Sequence, residues 1–243
     1  ARAENIKVHE LKLTPKYADS SLSFGINANF VGNSFDTAEG ELSLDSTTFI
    51  NGDERFFLDK FSIVAQNTNT PQSIQVKSNI MNGSITGEYS FKTLYHSFIE
   101  VLSSSIPALV KSTQKEISEN NDFKFHFSFN NTGQISSALE LPVTFGEEAN
   151  IDGFFSSKNK QFNLNAVLPE FAIKRSRFES GQLVVEKMDE RIRLHMHTNG
   201  LNKKNQYILL SLNADAMADS LNTQLNWSNM AAATFSGKLS TTT

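Results

Sequence analysis

The sequence predicts a mainly β protein: one long curled antiparallel sheet, a trough or open barrel-like shape, with a helical insert near 92–119. Three observations lead there. Along Asp122–Asn130, Phe123, Phe125, Phe127 and Phe129 alternate with Lys124, His126 and Ser128, which in a strand puts four phenyl rings on one face and polar groups on the other. Comparable alternation recurs along most of the 243 residues. It lapses most clearly between Lys92 and Asn120, where helical spacing replaces it. The domain reading follows: a first β segment at 1–91, the insert at 92–120 and a second β segment at 121–243, together one architecture.

Taken in order, Ile6–Leu13 reads as a strand with a phase slip between Val8 and Leu11. Leu22, Phe24, Ile26, Ala28 and Phe30 form a second, and Ala38, Gly40, Leu42 and Leu44 a third. Asn51-Gly52-Asp53 has hairpin chemistry. Phe57–Ala65 carries Phe61, Ile63 and Ala65 on one face, and Ile74, Val76, Ser78 and Ile80 follow a loop containing Pro71. Asn82-Gly83 reads as a turn into Ile85, Gly87, Tyr89 and Phe91. Leu94, Phe98, Val101 and Leu102 then share a helical stripe. Ser105 before Ile106-Pro107 predicts the cap of a second helix running through Ala108–Val110 into the polar stretch ending at Asn120. After the phenylalanine strand, Ile135–Leu141 predicts a short helix stopped by Pro142. Strands resume at 149–155, 162–168, 183–186, 192–196, 208–214, 221–227 and 233–239, with turns at Met188-Asp189, Asn199-Gly200 and Asn229-Met230.

Glycine sits in phase with the apolar face at Gly40, Gly87, Gly153 and Gly237, in segments that echo one another (Glu39–Leu44, Thr86–Phe91, Asp152–Ser156, Ser236–Ser240). A glycine there opens a gap into which a ring or a ligand chain can approach the backbone.

Composition narrows the function. A net charge of -4 lacks the basic surface that nucleic-acid binding favours. No cysteine is present, which removes disulfides, thiolate metal sites and cysteine nucleophiles. His195 and His197 share a strand face but find no third ligand at diagnostic spacing, so no metal or other cofactor is expected. Glu147-Glu148 and Asp189-Glu190 are adjacent carboxylates in turns, and no nucleophile elbow or phosphate-binding glycine loop occurs. No enzyme is predicted. Lys174, Arg175 and Arg177 form the densest basic cluster, read as a solvated loop. No run of about 18 apolar residues is present. The start at Ala1 and the stop at Thr241-Thr-Thr243, directly after a strand-like segment, predict a piece of a longer protein or a mature form.

What remains is the apolar stripe. Its rings either pack into a closed β-sandwich, giving a scaffold or an interaction module such as an adhesin or glycan binder, or line an open trough. Segment order favours the trough. Thr86-Gly-Glu-Tyr-Ser-Phe-Lys-Thr-Leu94 leading into Ser97–Leu109, then Phe123–Asn130 with Ile135–Pro142, Asn163–Phe171, Leu183–Val185 and Leu209–Leu212, resembles the TamB family of translocation and assembly modules, within the AsmA-like envelope proteins. The resemblance implies a periplasmic taco-shaped trough within a larger inner-membrane-anchored protein. It further implies phospholipid transport between inner and outer membranes, outer-membrane biogenesis and an outer-membrane barrel partner reached through other parts of the protein. The candidate groove lining for phospholipid acyl chains is Phe24, Ile26, Phe30, Phe61, Ile63, Ile74, Val76, Tyr89, Phe91, Phe123, Phe125, Phe127, Phe129, Phe162, Leu164, Leu194, Leu210 and Leu212.

Overall fold

In the computed structural model, which describes residues 1–11, 17, 20–108, 110, 120–201, 206–229 and 236–242, fifteen strands form one antiparallel sheet. The first seven are β1 (Arg2–Lys7), β2 (Ser21–Val31), β3 (Glu39–Asn51), β4 (Glu54–Gln66), β5 (Gln72–Ser78), β6 (Met81–Glu88) and β7 (Asp122–Phe129). Then come β8 (Val143–Phe145), β9 (Ala149–Ser156), β10 (Gln161–Ile173), β11 (Ser176–Met188), β12 (Arg191–Leu201), β13 (Tyr207–Met217), β14 (Ser220–Asn229) and β15 (Ser236–Thr242). Each strand pairs with its sequence neighbours, except that β7 pairs with β9 while the short β8 continues the β9 line along the same edge of β10. β1 and β15 do not pair, so the sheet is not closed into a barrel. Among the described residues two α-helices accompany the sheet: α1 (Phe91–Ser103) between β6 and β7, and α2 (Gly133–Ala138) between β7 and β8. No second sheet faces the first among the described residues, which removes the closed sandwich.

Cross-strand partners share a face, so the register traces what each face carries. One row runs Ala28, Leu42, Ile63, Val76, Gly83, Phe127, Ile151, Ala166, Leu183, Met196, Leu212, Leu225 and Leu239, from β2 to β15 with no polar side chain. At about 4.8 Å per strand this row extends for roughly 55–60 Å. The next row is Phe30, Gly40, Ala65, Ile74, Ile85, Phe125, Gly153, Leu164, Val185, Leu194, Ala214, Thr223 and Thr241. Strand alternation thus produces one apolar face continuous across the sheet.

Two hydrophobic clusters lie on that face, each under a helix. Val8, Phe49, Phe56 and Leu58 pack beneath α2, which contributes Ala138 and Ile135, with Leu139 against them. Asn51 Nδ2 donates to the Ala138 carbonyl at 3.1 Å, tying α2 to the β3–β4 turn. Tyr89, Phe123, Phe155 and Phe162 pack beneath α1, which contributes Val101, Leu94 and Leu102, joined by Phe125 and Val185. The two clusters lie at opposite ends of the strands, because the β3–β4 turn and the β6–β7 connection leave the sheet from opposite ends.

Several local expectations are corrected. The Val8 slip is a 3-10 turn over Val8–Leu11 that ends β1, and the rest of that predicted strand, 12–13, lies outside the described residues. Asn82-Gly83 is inside β6, and the reversal is at Asn79-Ile80, where Ser78 Oγ accepts from the Met81 amide at 2.9 Å. Asn199-Gly200 likewise lies within β12. β6 stops at Glu88, so Tyr89 is not a strand residue, and Phe91 opens α1. Residues 104–108 form turns rather than a second helix, and the rest of that predicted helix lies largely outside the described residues. Ser105 caps nothing: its hydroxyl is buried with no partner among the described residues. Met230 of the predicted Asn229-Met230 turn and residues 233–235 of the last predicted strand also lie outside them.

Candidate functional site: an apolar cavity beside helix α1

α1 is fastened at both ends. At its start, Asp36 Oδ1 accepts from the Phe91 amide at 2.7 Å and Oδ2 from Ser90 Oγ at 2.9 Å. Asn121, fully buried, accepts from the Ser90 amide at 2.9 Å and donates to Ser97 Oγ at 2.9 Å and Thr93 Oγ1 at 3.1 Å. Beyond its end, the Asp219 amide donates to the Ser105 carbonyl at 3.2 Å, and the Ala108 amide donates to Asp219 Oδ1 at 2.7 Å. Asp219 is in the β13–β14 turn, five strand spacings or about 24 Å from β7. A helix the length of α1 spans about 20 Å. The helix therefore runs across the strands, over the apolar face.

Between α1 and the sheet is a cavity of about 730 Å³, within the range of small-molecule sites. Phe91, Leu94, Tyr95, Phe98 and Leu102 form its helical wall, and Phe123, Phe125, Phe155, Phe162, Leu164, Val185 and Ile192 form its floor, with Phe154 and Asn163 also at its boundary. The Phe98 ring stands 5.6 Å from that of Phe162 and 6.1 Å from that of Phe155. Tyr95, 69% exposed, marks the open side.

The register places sixteen of the eighteen candidate lining residues on one face. Five line this cavity: Phe91, Phe123, Phe125, Phe162 and Leu164. Phe24, opposite a bulge in β3, along with Ile26, Phe30, Ile63, Ile74, Val76, Phe127, Phe129, Leu194, Leu210 and Leu212, continue the face away from it. Phe61 packs against the cluster under α2. Tyr89 is a buried member of the α1 anchor, its hydroxyl donating to Asn67 Oδ1 at 2.6 Å. Sequence reasoning missed Val185 and Ile192, which stand at the same alternate positions as their neighbours, and Phe155, which lies in a noted glycine segment.

Gly153 and Gly237 have the role their phase suggests, whereas Gly40 and Gly87, at φ +134° and +144°, approach the backbone of the neighbouring strand. A Cβ on Gly83 would meet Phe127 Cδ1 at 2.1 Å, one on Gly153 would meet Phe125 Cζ at 2.8 Å, and one on Gly87 would meet Phe123 Cβ at 2.9 Å. The rings of Phe127 and Phe125 therefore lie over bare backbone at Gly83 of β6 and Gly153 of β9. Gly237 does the same under Trp227.

The opposite face is polar. His195 and His197 are exposed there, His195 Nδ1 lying 2.8 Å from Asn213 Oδ1. Arg191 pairs with Asp215 at 2.7 Å and Arg193 with Glu186 at 3.2 Å. No metal-ligating cluster occurs among the described residues. No helix there is long and apolar enough to cross a membrane.

Burial pushes the Tyr89 phenol up to about 12, with the Asp36 charge adding to the effect. The folded state thus holds that proton more tightly than the unfolded chain. The stabilisation is complete below pH 10 and is lost as pH rises from 10 towards 12. Two units correspond to roughly 2–3 kcal/mol. Urea titrations at pH 9 and pH 11.5 are expected to show this loss in the native chain and a smaller one in Tyr89→Phe. An equal loss in both would place the alkaline sensitivity elsewhere.

No family model, curated protein or solved structure matches this chain.

Proposed function

We propose that this chain binds lipid acyl chains along the apolar face of its sheet and conducts them across the strands, as a periplasmic trough in a TamB-like envelope protein. It would thereby support phospholipid movement between inner and outer membranes. The observation that carries the reading is the unbroken apolar row across thirteen strands, no residue of which belongs to the clusters that α1 and α2 cover.

The physics is a transfer problem. Exposing an acyl chain to water costs about 0.8 kcal/mol per CH₂, so a chain of roughly 16 carbons faces on the order of 12 kcal/mol. A continuous hydrocarbon floor removes most of that cost and leaves the head group in water. It needs no reactive side chain. It needs apolar residues at alternate positions in register over many strands, which is the arrangement of this face. The cavity beside α1 shares its floor with this face and is the place where a chain would dwell.

Native mass spectrometry of freshly purified protein, paired with transfer of fluorescent phospholipid between vesicles, tests the proposal. Co-purified phospholipid and accelerated transfer are expected. Protein free of lipid that also leaves the transfer rate unchanged would overturn it.

A further inference from the structure

The cavity lies at the end of the strands from which the β9–β10, β11–β12 and β13–β14 turns leave. Its floor takes in Phe123, Phe155, Phe162 and Ile192 nearest that end, then Phe125, Leu164 and Val185 one step further along the strands. The unbroken apolar row, through Phe127, Ala166 and Leu183, is the next step beyond. The cavity floor therefore joins the row, and α1 is the wall that encloses it.

α1 is held differently at its two ends. At its start, the bonds from Asn121 to Ser90 and Ser97 are buried. At its far end, the bond from the Ala108 amide to Asp219 Oδ1, 2.7 Å long, is exposed to solvent. A contact open to water is released more readily than a buried one. Asp219 stands beside the far side of the floor, because Ala216, three residues before it, pairs with the lining residue Ile192.

The turn that carries Asp219 is sterically unfavourable. Met217 and Ser220 pair across it, leaving Ala218 at φ +50° and Asp219 at φ +62°. A two-residue hairpin of this hand ordinarily has Asn or Gly, and a side chain in the left-handed region carries a steric cost that glycine lacks. Aspartate adds what glycine would not, a carboxylate that reaches the end of the helix.

We infer that Asp219 is the positioning residue of the cavity: its bond to the end of α1 sets how often that end lifts from the sheet, and so how fast a chain leaves the cavity for the open row. The inference rests on the proposed acyl-chain binding and adds control of residence time to it. α1 pivots at its Asn121 end and lifts at its Asp219 end. Leu102, the lining residue closest in sequence to the lifting end, leaves the floor first.

The test compares Asp219→Gly, Asp219→Asn and Asp189→Gly in the full chain. Asp219→Gly removes the carboxylate and leaves a residue suited to φ +62°, so the hairpin and the melting temperature should be retained. Asp219→Asn keeps an acceptor. Asp189→Gly makes the same change at φ +54° in the β11–β12 turn and is the control. Two rates are read: amide hydrogen exchange in the last two turns of α1, and release of a bound fluorescent hexadecanoic acid on displacement by excess hexadecanoate. In Asp219→Gly both should rise roughly three- to tenfold, the usual worth of one hydrogen bond, with exchange in β12, β13 and β14 unchanged. Both should return towards the native values in Asp219→Asn and stay native in Asp189→Gly. Native helix exchange in Asp219→Gly overturns the inference. Faster exchange with unchanged release overturns it too, and leaves acyl-chain binding standing. An equal rise in Asp189→Gly would trace the effect to glycine in a hairpin and would also overturn it. If the native chain binds no fatty acid, the proposed function fails and takes this inference with it.

Discussion

Replacing both Phe125 and Phe127 by Asp is expected to abolish lipid transfer while leaving the strand content of the chain intact. Phe125 lines the cavity and lies over Gly153, and Phe127 lies over Gly83 in the row that crosses the whole sheet. Their rings are 6.4 Å apart at a 35° tilt, so the pair forms a continuous piece of floor. Removing each half-buried ring costs roughly 2–4 kcal/mol of contact and transfer energy. The new carboxylates can stay hydrated towards the open side, so the backbone ladder to β6 and β9 survives. A passing hydrocarbon chain then meets two charges where it met two rings. Losing even half of the on-the-order-of 12 kcal/mol the floor supplies would slow transfer by more than a thousandfold. Lys124→Asp provides the control, because Lys124 is exposed on the opposite face of the same strand. Normal transfer by a folded Phe125→Asp/Phe127→Asp protein, judged by circular dichroism, would remove the rings from the path.

The face itself was legible because period-two alternation needs no tertiary information. β2 keeps one parity from Leu22 to Phe30, and β7 from Phe123 to Phe129, and in both the register agrees with the sequence reading. Parity was not legible where it changes. In β4 the inward set is Phe56 and Leu58, then Phe61, Ile63 and Ala65, and the partner strand β3 carries Ser46 at φ +49°. β10 and β11 repeat the device with Ser180 at φ +54°: Ala166 and Leu168 give way to Phe171. A serine in the left-handed region has no sequence signature, unlike a glycine. The Asn-Gly pairs misled for a related reason. Asn82-Gly83 and Asn199-Gly200 have hairpin chemistry, yet Gly83 is required by the ring of Phe127 and not by a turn.

The candidate site was half legible. Its floor follows from alternation, and the apolar stripe of α1 follows from helical spacing. Where α1 lies does not. That is decided by Asp36 reaching Ser90 and Phe91 across more than fifty residues, and by Asp219 reaching Ala108 across more than a hundred. Neither aspartate stands out locally.

Gly153→Ala is expected to be strongly destabilising. A Cβ at this position would lie 2.0 Å from the Asn163 carbonyl oxygen and 2.8 Å from Phe125 Cζ. The second contact could relax by tilting a ring into the cavity. The first is with backbone, and β9 is bonded to β7 on one side and β10 on the other, so a shift that relieves it stretches a ladder. Overpacking of this kind costs about 2–4 kcal/mol. In a chain of this size each kcal/mol lowers the melting temperature by roughly 2–4 °C, so a fall of about 5–15 °C is expected. Gly133→Ala is the matched comparison. It opens α2 with no heavy atom within 4 Å of the added carbon, and alanine there should be neutral or stabilising by up to about 1 kcal/mol. The contrast separates the contribution of close ring-to-backbone packing from the generic effect of replacing glycine. If Gly153→Ala melted with Gly133→Ala, the rings of β7 would not need the bare backbone beneath them, and the floor would be looser than its register implies.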